Sequence, residues 1–317
     1  MKAVLFIGHG SRDAEGNEQV KAFIEKMKPS FDKGLLVETC YLEFVHPTVN
    51  EGIDICISKG ATHVVIIPIM LLQAGHSKIH IPAAIDEAKE KYPLAKFTYG
   101  RPIGIHLESI EILKTRIEEI GEYSETPDKE TAVLLLGRGG SDADANSDLY
   151  KITRLLWEKT PFSLVETAFM GVTSPLTDEG VERCIRLGAK KIIILPYFLF
   201  TGILIKRLEE MIVEFQEKYP SIEFKLAGYF GFHSKLETIL MDRVNEALQD
   251  EVKMNCDTCV YRIEAMEHID HHHHHDHDHD HGHHHGHHHH HDHDHDHHHD
   301  HDHDHHHDHD HELETSK

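Results

Sequence analysis

Cysteine, tryptophan and positive charge are all scarce in this chain. There are 5 cysteines and 1 tryptophan in 317 residues. Cys40, Cys56, Cys184, Cys256 and Cys259 fall at no disulfide-framework spacing, which argues against a small stapled fold and predicts a reducing, cytoplasmic address. Lys and Arg number 32 against 55 Asp and Glu, for a formal net charge of -23. Residues 271–317 hold 11 Asp, 2 Glu and 1 Lys and so carry -12 of it, which leaves the remaining body acidic in its own right. Nucleic-acid binding draws on clustered cations that displace counterions from phosphates, so this balance argues against a nucleic-acid partner. No apolar run approaches the roughly 18 residues of a membrane span. The opening MKAVLFIGHG enters a strand pattern with no leader-type cleavage site. A membrane partner is therefore not expected.

What is present is the same text twice. VLFIGHGSRDAEGN at residues 4–17 is matched by VLLLGRGGSDADAN at 133–146, and VETCYLEFVHP from Val37 by VETAFMGVTSP from Val165. EGIDICISKGATHVVIIP from Glu51 is matched by EGVERCIRLGAKKIIILP from Glu179. Each copy carries a KYP ending at Pro93 or Pro220, then a glycine-rich step into His106 or His233. Short β-branched runs without polar alternation predict strands of a parallel sheet buried on both faces. Between them, AAIDEAKEKY and LEEMIVEFQEKY have helical period, so right-handed βαβ crossovers follow. The predicted fold class is α/β, as two tandem-repeat flavodoxin-like domains with parallel sheets, joined near residues 121–130. A hydrophobic content of 39% suffices for two such cores. The boundaries are a first repeat over 1–122, a second over 131–250, a Cys-x-x-Cys segment over 251–265 and a His/Asp-rich tail over 266–317.

Ligands of open α/β sheets bind beyond the carboxyl ends of the strands. Features shared by both copies there are scaffold, and differences are candidates for chemistry. Three such positions change in kind: His9 becomes Arg138, Glu43 becomes Gly171 and His76 becomes Leu204. His106 and His233 are kept in both copies at the start of the last helix and read as structural. His63, at the opposite strand end, reads as packing, and His46, near Glu43, is a weaker fourth candidate. Two imidazoles offer neutral nitrogen donors to Co, Ni, Fe or Zn, and a carboxylate beside them can take protons. Few protein ligands suit an ion that must be released.

The segments GHGSRD, LEFVHPT around Glu43 and IIPIMLLQAGHSKIHIP around His76 together resemble the class II tetrapyrrole chelatases, the CbiX, SirB and CbiK type enzymes. The tandem arrangement, with a second half lacking the catalytic residues, resembles the long form of CbiX. The resemblance implies chelatase-like domains and ATP-independent insertion of Co2+ into sirohydrochlorin, a lyase step of the anaerobic cobalamin branch of porphyrin biosynthesis. It implies His9 and His76 as catalytic metal ligands and Glu43 as the acidic residue that assists loss of the pyrrole protons. Sirohydrochlorin ferrochelation or nickel insertion is the near alternative, because these donors accept all three ions. Ser11, Arg12, Lys78 and Arg101 lie in or near the motifs and are candidates for binding substrate. Members of the family often have an acidic residue where this chain has His80.

From His271 to His311 the chain is almost wholly His and Asp, with 28 His in all. Such a composition builds no core and predicts a disordered tail with many weak sites for divalent ions. A purification tag is usually a plain hexahistidine, unlike this Asp-interspersed run. A metal-storage or metallochaperone protein, with the tail as its activity, is the alternative from another class. Met254, Cys256 and Cys259 match an M-x-C-x-x-C motif that, in the long-form resemblance, implies a 4Fe–4S cluster. Two thiolates fall short of the usual four ligands, so a cluster needs other donors. A dithiol reductase fits less well, because the pair follows the second repeat instead of opening a helix.

Overall fold

In the computed structural model, residues 1–251 are described, apart from 125, 127 and 128, and of His76 the backbone alone. Cys256, Cys259 and the tail lie outside the described residues. The first repeat runs β1 (Lys2–Gly8), α1 (Ala14–Met27), β2 (Leu36–Tyr41), α2 (Val49–Ser58), β3 (His63–Pro68), α3 (Ile81–Lys91), β4 (Lys96–Tyr99) and α4 (Leu107–Glu119). The second runs β5 (Thr131–Gly137), α5 (Ala143–Glu158), β6 (Leu164–Phe169), α6 (Thr177–Arg186), β7 (Lys191–Pro196), α7 (Ile203–Lys218), β8 (Glu223–Leu226) and α8 (Ser234–Leu248). Two four-stranded sheets result, ordered β2-β1-β3-β4 and β6-β5-β7-β8. Every pairing is parallel, as the unalternated apolar runs require. The registers repeat as well: Ile7 lies opposite Pro68, and Leu136 opposite Pro196. Among the described residues no helix is long and apolar enough to cross a membrane.

The central strands β1, β3, β5 and β7 each divide their side chains between two cores. Ala3, Leu5 and Ile7 of β1 point to an outer layer with Ile53 and Cys56 of α2 and Ile81 and Ile85 of α3. Ala132, Leu134 and Leu136 of β5 do the same with Val181 and Cys184 of α6 and Leu208 of α7. The alternate residues, Val4 and Phe6 with Val133 and Leu135, belong to one core common to both repeats. That core also contains Ile110 and Leu113 of α4 and Leu236, Leu240 and Val244 of α8. Each such side chain, fully buried, contributes about 1.5–3 kcal/mol. The repeats are thus two sheets on one shared interior, and the described residues of both belong to a single compact unit.

The last helices are exchanged. Helix α4 of the first repeat packs on α5 and β7 of the second, and α8 of the second packs on β3 and β4 of the first. Arg243 of α8 donates to the carbonyls of Pro102 and Ile103 at 2.8 and 2.7 Å, and Arg116 of α4 donates to the carbonyl of Phe230 at 2.6 Å. The sequence reading of two α/β repeats with parallel sheets holds, and it is silent on this exchange. A helix's apolar stripe records that a face is buried without recording against which sheet.

His106 and His233 have the scaffold role expected of them. Each precedes its helix, and its Nδ1 accepts the backbone N–H two residues on, at 3.2 Å from Glu108 and 3.1 Å from Lys235. Burial, ahead of nearby arginine charge, holds both imidazoles below their ordinary pKa. His63 opens β3 and its Nε2 meets the Thr98 hydroxyl at 2.9 Å. Cys40, Cys56 and Cys184 are core residues. Burial pushes the thiols up, to about 12 for Cys56 and Cys184 and higher for Cys40.

Candidate metal-insertion site

His9 follows directly on the last residue of β1, and Glu43 stands two residues past β2. The ladder continues beyond the strands: Leu42 N–H donates to Gly8 O, and Glu43 N–H donates to His9 O, both at 3.1 Å. Imidazole and carboxylate therefore leave adjacent points of one rim, and both residues are half-buried. Gly10 makes this approach possible. Its φ is +85°, and a Cβ there would sit 1.9 Å from the carbonyl oxygen of Glu43. Only glycine meets both demands. The backbone then turns left-handed at Phe44, with φ 63°, and does so again at Val172, with φ 70°, in the second copy. A β-branched residue in that region is strained, and such strain persists where the surroundings impose it.

The His9 ring is oriented by its own loop. Nδ1 lies 3.0 Å from Gly10 O, and since a carbonyl only accepts, Nδ1 carries the hydrogen and Nε2 is the acceptor nitrogen. A ring nitrogen held on a backbone carbonyl while the other faces the site is the usual arrangement of a histidine that binds metal. The backbone of His76 opens a single π-helical turn, His76–His80, that leads into α3. The turn is braced by Ser77, whose Oγ accepts from Ala74 N–H at 3.1 Å, and by Tyr99, whose hydroxyl donates to Ser77 O at 2.7 Å. π-Helical turns frequently mark functional positions. Among the described residues no three His, Cys, Asp or Glu side chains converge as a metal-ligand set, the His76 side chain lying outside them.

The remaining candidates separate by what they touch. The Ser11 hydroxyl accepts from Asp13 N–H at 3.0 Å and shapes the entry to α1. Arg12 is exposed and lies 5.1 Å from the ring centroid of Phe44, itself 57% exposed. Arg101 is held by Glu246, with Nη2 2.9 Å from Oε2, so its charge is already answered. His46 points to the cap of α2, with Nδ1 2.9 Å from Glu51, and is 79% exposed. Lys78 crosses to the second repeat and pairs with Asp142 at 2.7 Å and Asp144 at 3.3 Å. Its duplicate, Lys206, crosses back to Asp13 at 2.7 Å and Glu15 at 3.4 Å. The ammonium groups hold the carboxyls of Asp13 and Asp142 below their ordinary range. These two clasps bind the rims of the repeats to each other, and between the rims His9 meets Arg138. Spacing alone marked Arg138 as the loss of a histidine; only the folded chain places it beside the histidine that remains.

The CbiX family model matches residues 3–120 and, a second time, residues 132–247. The chain belongs to the CbiX family. The double match follows the duplication read from the sequence. A Priestia megaterium protein named sirohydrochlorin cobaltochelatase is 70% identical over 272 residues, which are 86% of this chain and 88% of that one. A Bacillus subtilis (strain 168) protein named sirohydrochlorin ferrochelatase is 33% identical over 245 residues, 77% of this chain and 91% of that one. Among solved structures, the sirohydrochlorin chelatase SirB from Bacillus subtilis subspecies spizizenii, in complex with cobalt, is similar with a TM-score of 0.67 at 30% identity. That match covers 78% of this chain and 96% of SirB.

Proposed function

We propose that this chain inserts Co2+ into sirohydrochlorin without ATP, at the rim of its first repeat. The observation that carries the reading is the adjacency of His9 and Glu43 at the carboxyl ends of β1 and β2, in a chain 70% identical to a protein named for that reaction. In this reading Nε2 of His9 and the imidazole of His76 hold the incoming ion on one face of the macrocycle. Glu43 takes up protons as the pyrrole N–H groups are lost, which requires a base within hydrogen-bond reach. The rest of the rim, clasped to the second repeat by Lys78 and Lys206, supplies the opposite wall.

Iron is the second reading, favoured by relatives named sirohydrochlorin ferrochelatase at 38% and 33% identity. The test is to supply the anaerobic full-length protein with sirohydrochlorin and Co2+, Fe2+ or Ni2+ in turn, and to follow the visible spectrum. Conversion fastest with cobalt is expected. Conversion with iron alone would establish the second reading, and none with any ion would end both.

The His/Asp tail buffers divalent ions for this reaction instead of performing it. A chain ending at residue 265 is expected to keep insertion at saturating Co2+ and to lose rate only when the ion is scarce. Loss of all metal-dependent activity would favour a storage protein. Cys256 and Cys259 are the thiolates of this chain that could enter a 4Fe–4S cluster, since Cys40, Cys56 and Cys184 are enclosed in the cores. A cluster on this pair then takes its other ligands from non-cysteine groups or a second chain. Anaerobic protein that carries iron lost in Cys256→Ser supports this assignment, and iron-free protein removes it.

A further inference from the structure

The duplication puts an arginine where a second metal ligand would stand, and the fold turns that arginine onto the first ligand. Arg138 follows β5 as His9 follows β1, and the same local geometry presents both. Gly139 has φ +83°, and a Cβ on it would lie 2.0 Å from Gly171 O, as Gly10 does with Glu43 O. Gly171 N–H donates to Arg138 O at 3.2 Å, in place of the bond from Glu43 to His9. The Arg138 side chain is exposed, and its Nη1 donates to Nε2 of His9 at 3.4 Å. That is long for such a bond and far weaker than an arginine fork makes with a carboxylate. Lys78, Lys206 and Arg101 at or near the rim are each engaged by carboxylates. Among the described residues, Arg138 meets only the imidazole.

We propose that Arg138 is the seat for a carboxylate of the tetrapyrrole, and that in moving onto that carboxylate it withdraws its N–H from His9 Nε2. The inference rests on the chelatase reading above and adds a substrate-binding residue from the repeat that lacks the catalytic set. Sirohydrochlorin is ringed by acetate and propionate groups, and the planar guanidinium fork matches a carboxylate in two parallel hydrogen bonds. Charge then fixes an order of events. A divalent cation approaching Nε2 faces a fixed positive charge until the macrocycle's carboxylate answers it. Macrocycle first and metal second is the sequence the geometry favours, so the ion is not held at His9 with no ring to receive it.

The test uses full-length protein and metal-free sirohydrochlorin, whose own fluorescence reports binding without any ion. Arg138→Ala is expected to weaken that binding by about 10-fold or more. Arg138→Lys, which keeps the charge without the fork, is expected to recover part of it. In turnover, Arg138→Ala raises KM for the macrocycle by more than it lowers kcat. Wild-type macrocycle affinity in Arg138→Ala, or a defect confined to KM for Co2+, would overturn the assignment. Because binding is read without metal, a wild-type protein that binds the ring through Arg138 yet inserts no ion would sink the proposed function and leave this assignment standing. A wild-type protein that fails to bind the ring sinks both.

Discussion

His9→Ala and His76→Ala each reduce cobalt insertion at saturating sirohydrochlorin by about 100-fold or more, with the fold intact. The size of the effect follows from position. His9 sits on a loop that ties Nδ1 to Gly10 O and turns Nε2 to the space between the rims, so the ring is oriented before any ion arrives. Alanine removes that donor and leaves the backbone bond between Glu43 N–H and His9 O in place, so folding is spared. Glu43→Gln separates the two halves of the chemistry. It keeps the side chain's shape and removes its basicity, with an expected loss of about 100-fold or more in rate. Visible spectra under excess Co2+ measure all three variants. Near-wild-type rates in both histidine variants would end the assignment of the site.

The largest effect on stability is expected at a residue that touches no substrate. Arg243 is 3% exposed, and its guanidinium makes three contacts at once: with Pro102 O at 2.8 Å, with Ile103 O at 2.7 Å and with Glu246 at 2.8 Å. Glu246 is 6% exposed and is shared with Arg101. Arg243→Ala leaves two carbonyls of the first repeat without their donor and removes one of the two charges that neutralise a buried carboxylate. Breaking a buried pair from one side costs about 3–5 kcal/mol. Its duplicate, Arg116, is 15% exposed and pairs with Glu119, which is 50% exposed. Arg116→Ala is therefore expected to cost less, about 1–2 kcal/mol. Urea unfolding of the two variants gives the comparison, and equal losses would show that the exchanged helices are not fixed by this network.

Much of the candidate site was legible because the sequence carries its own control. Two copies of one scaffold, differing at three strand ends, separate what the fold needs from what it does not. His106 and His233, kept in both, cap their helices, while His9 and Glu43, present in one, stand together at the rim. The cations were read from their place in the motifs, without that control. Lys78 and Arg101 lie in or near the motif segments, yet the first clasps the other repeat and the second answers Glu246. Nothing local to either residue names a partner 64 or 145 positions away.

The amino-acid order by itself determined the parallel sheets, the duplication and the one-sided placement of imidazole and carboxylate. Each of these follows from local pattern: unbroken apolar runs, helical period and residue type at a strand end. Only the tertiary structure decided that α4 and α8 change places and that Arg138 comes to face His9. Both depend on which of two near-identical surfaces an apolar stripe is buried against, and two copies of one sequence present that choice with nearly equal local chemistry.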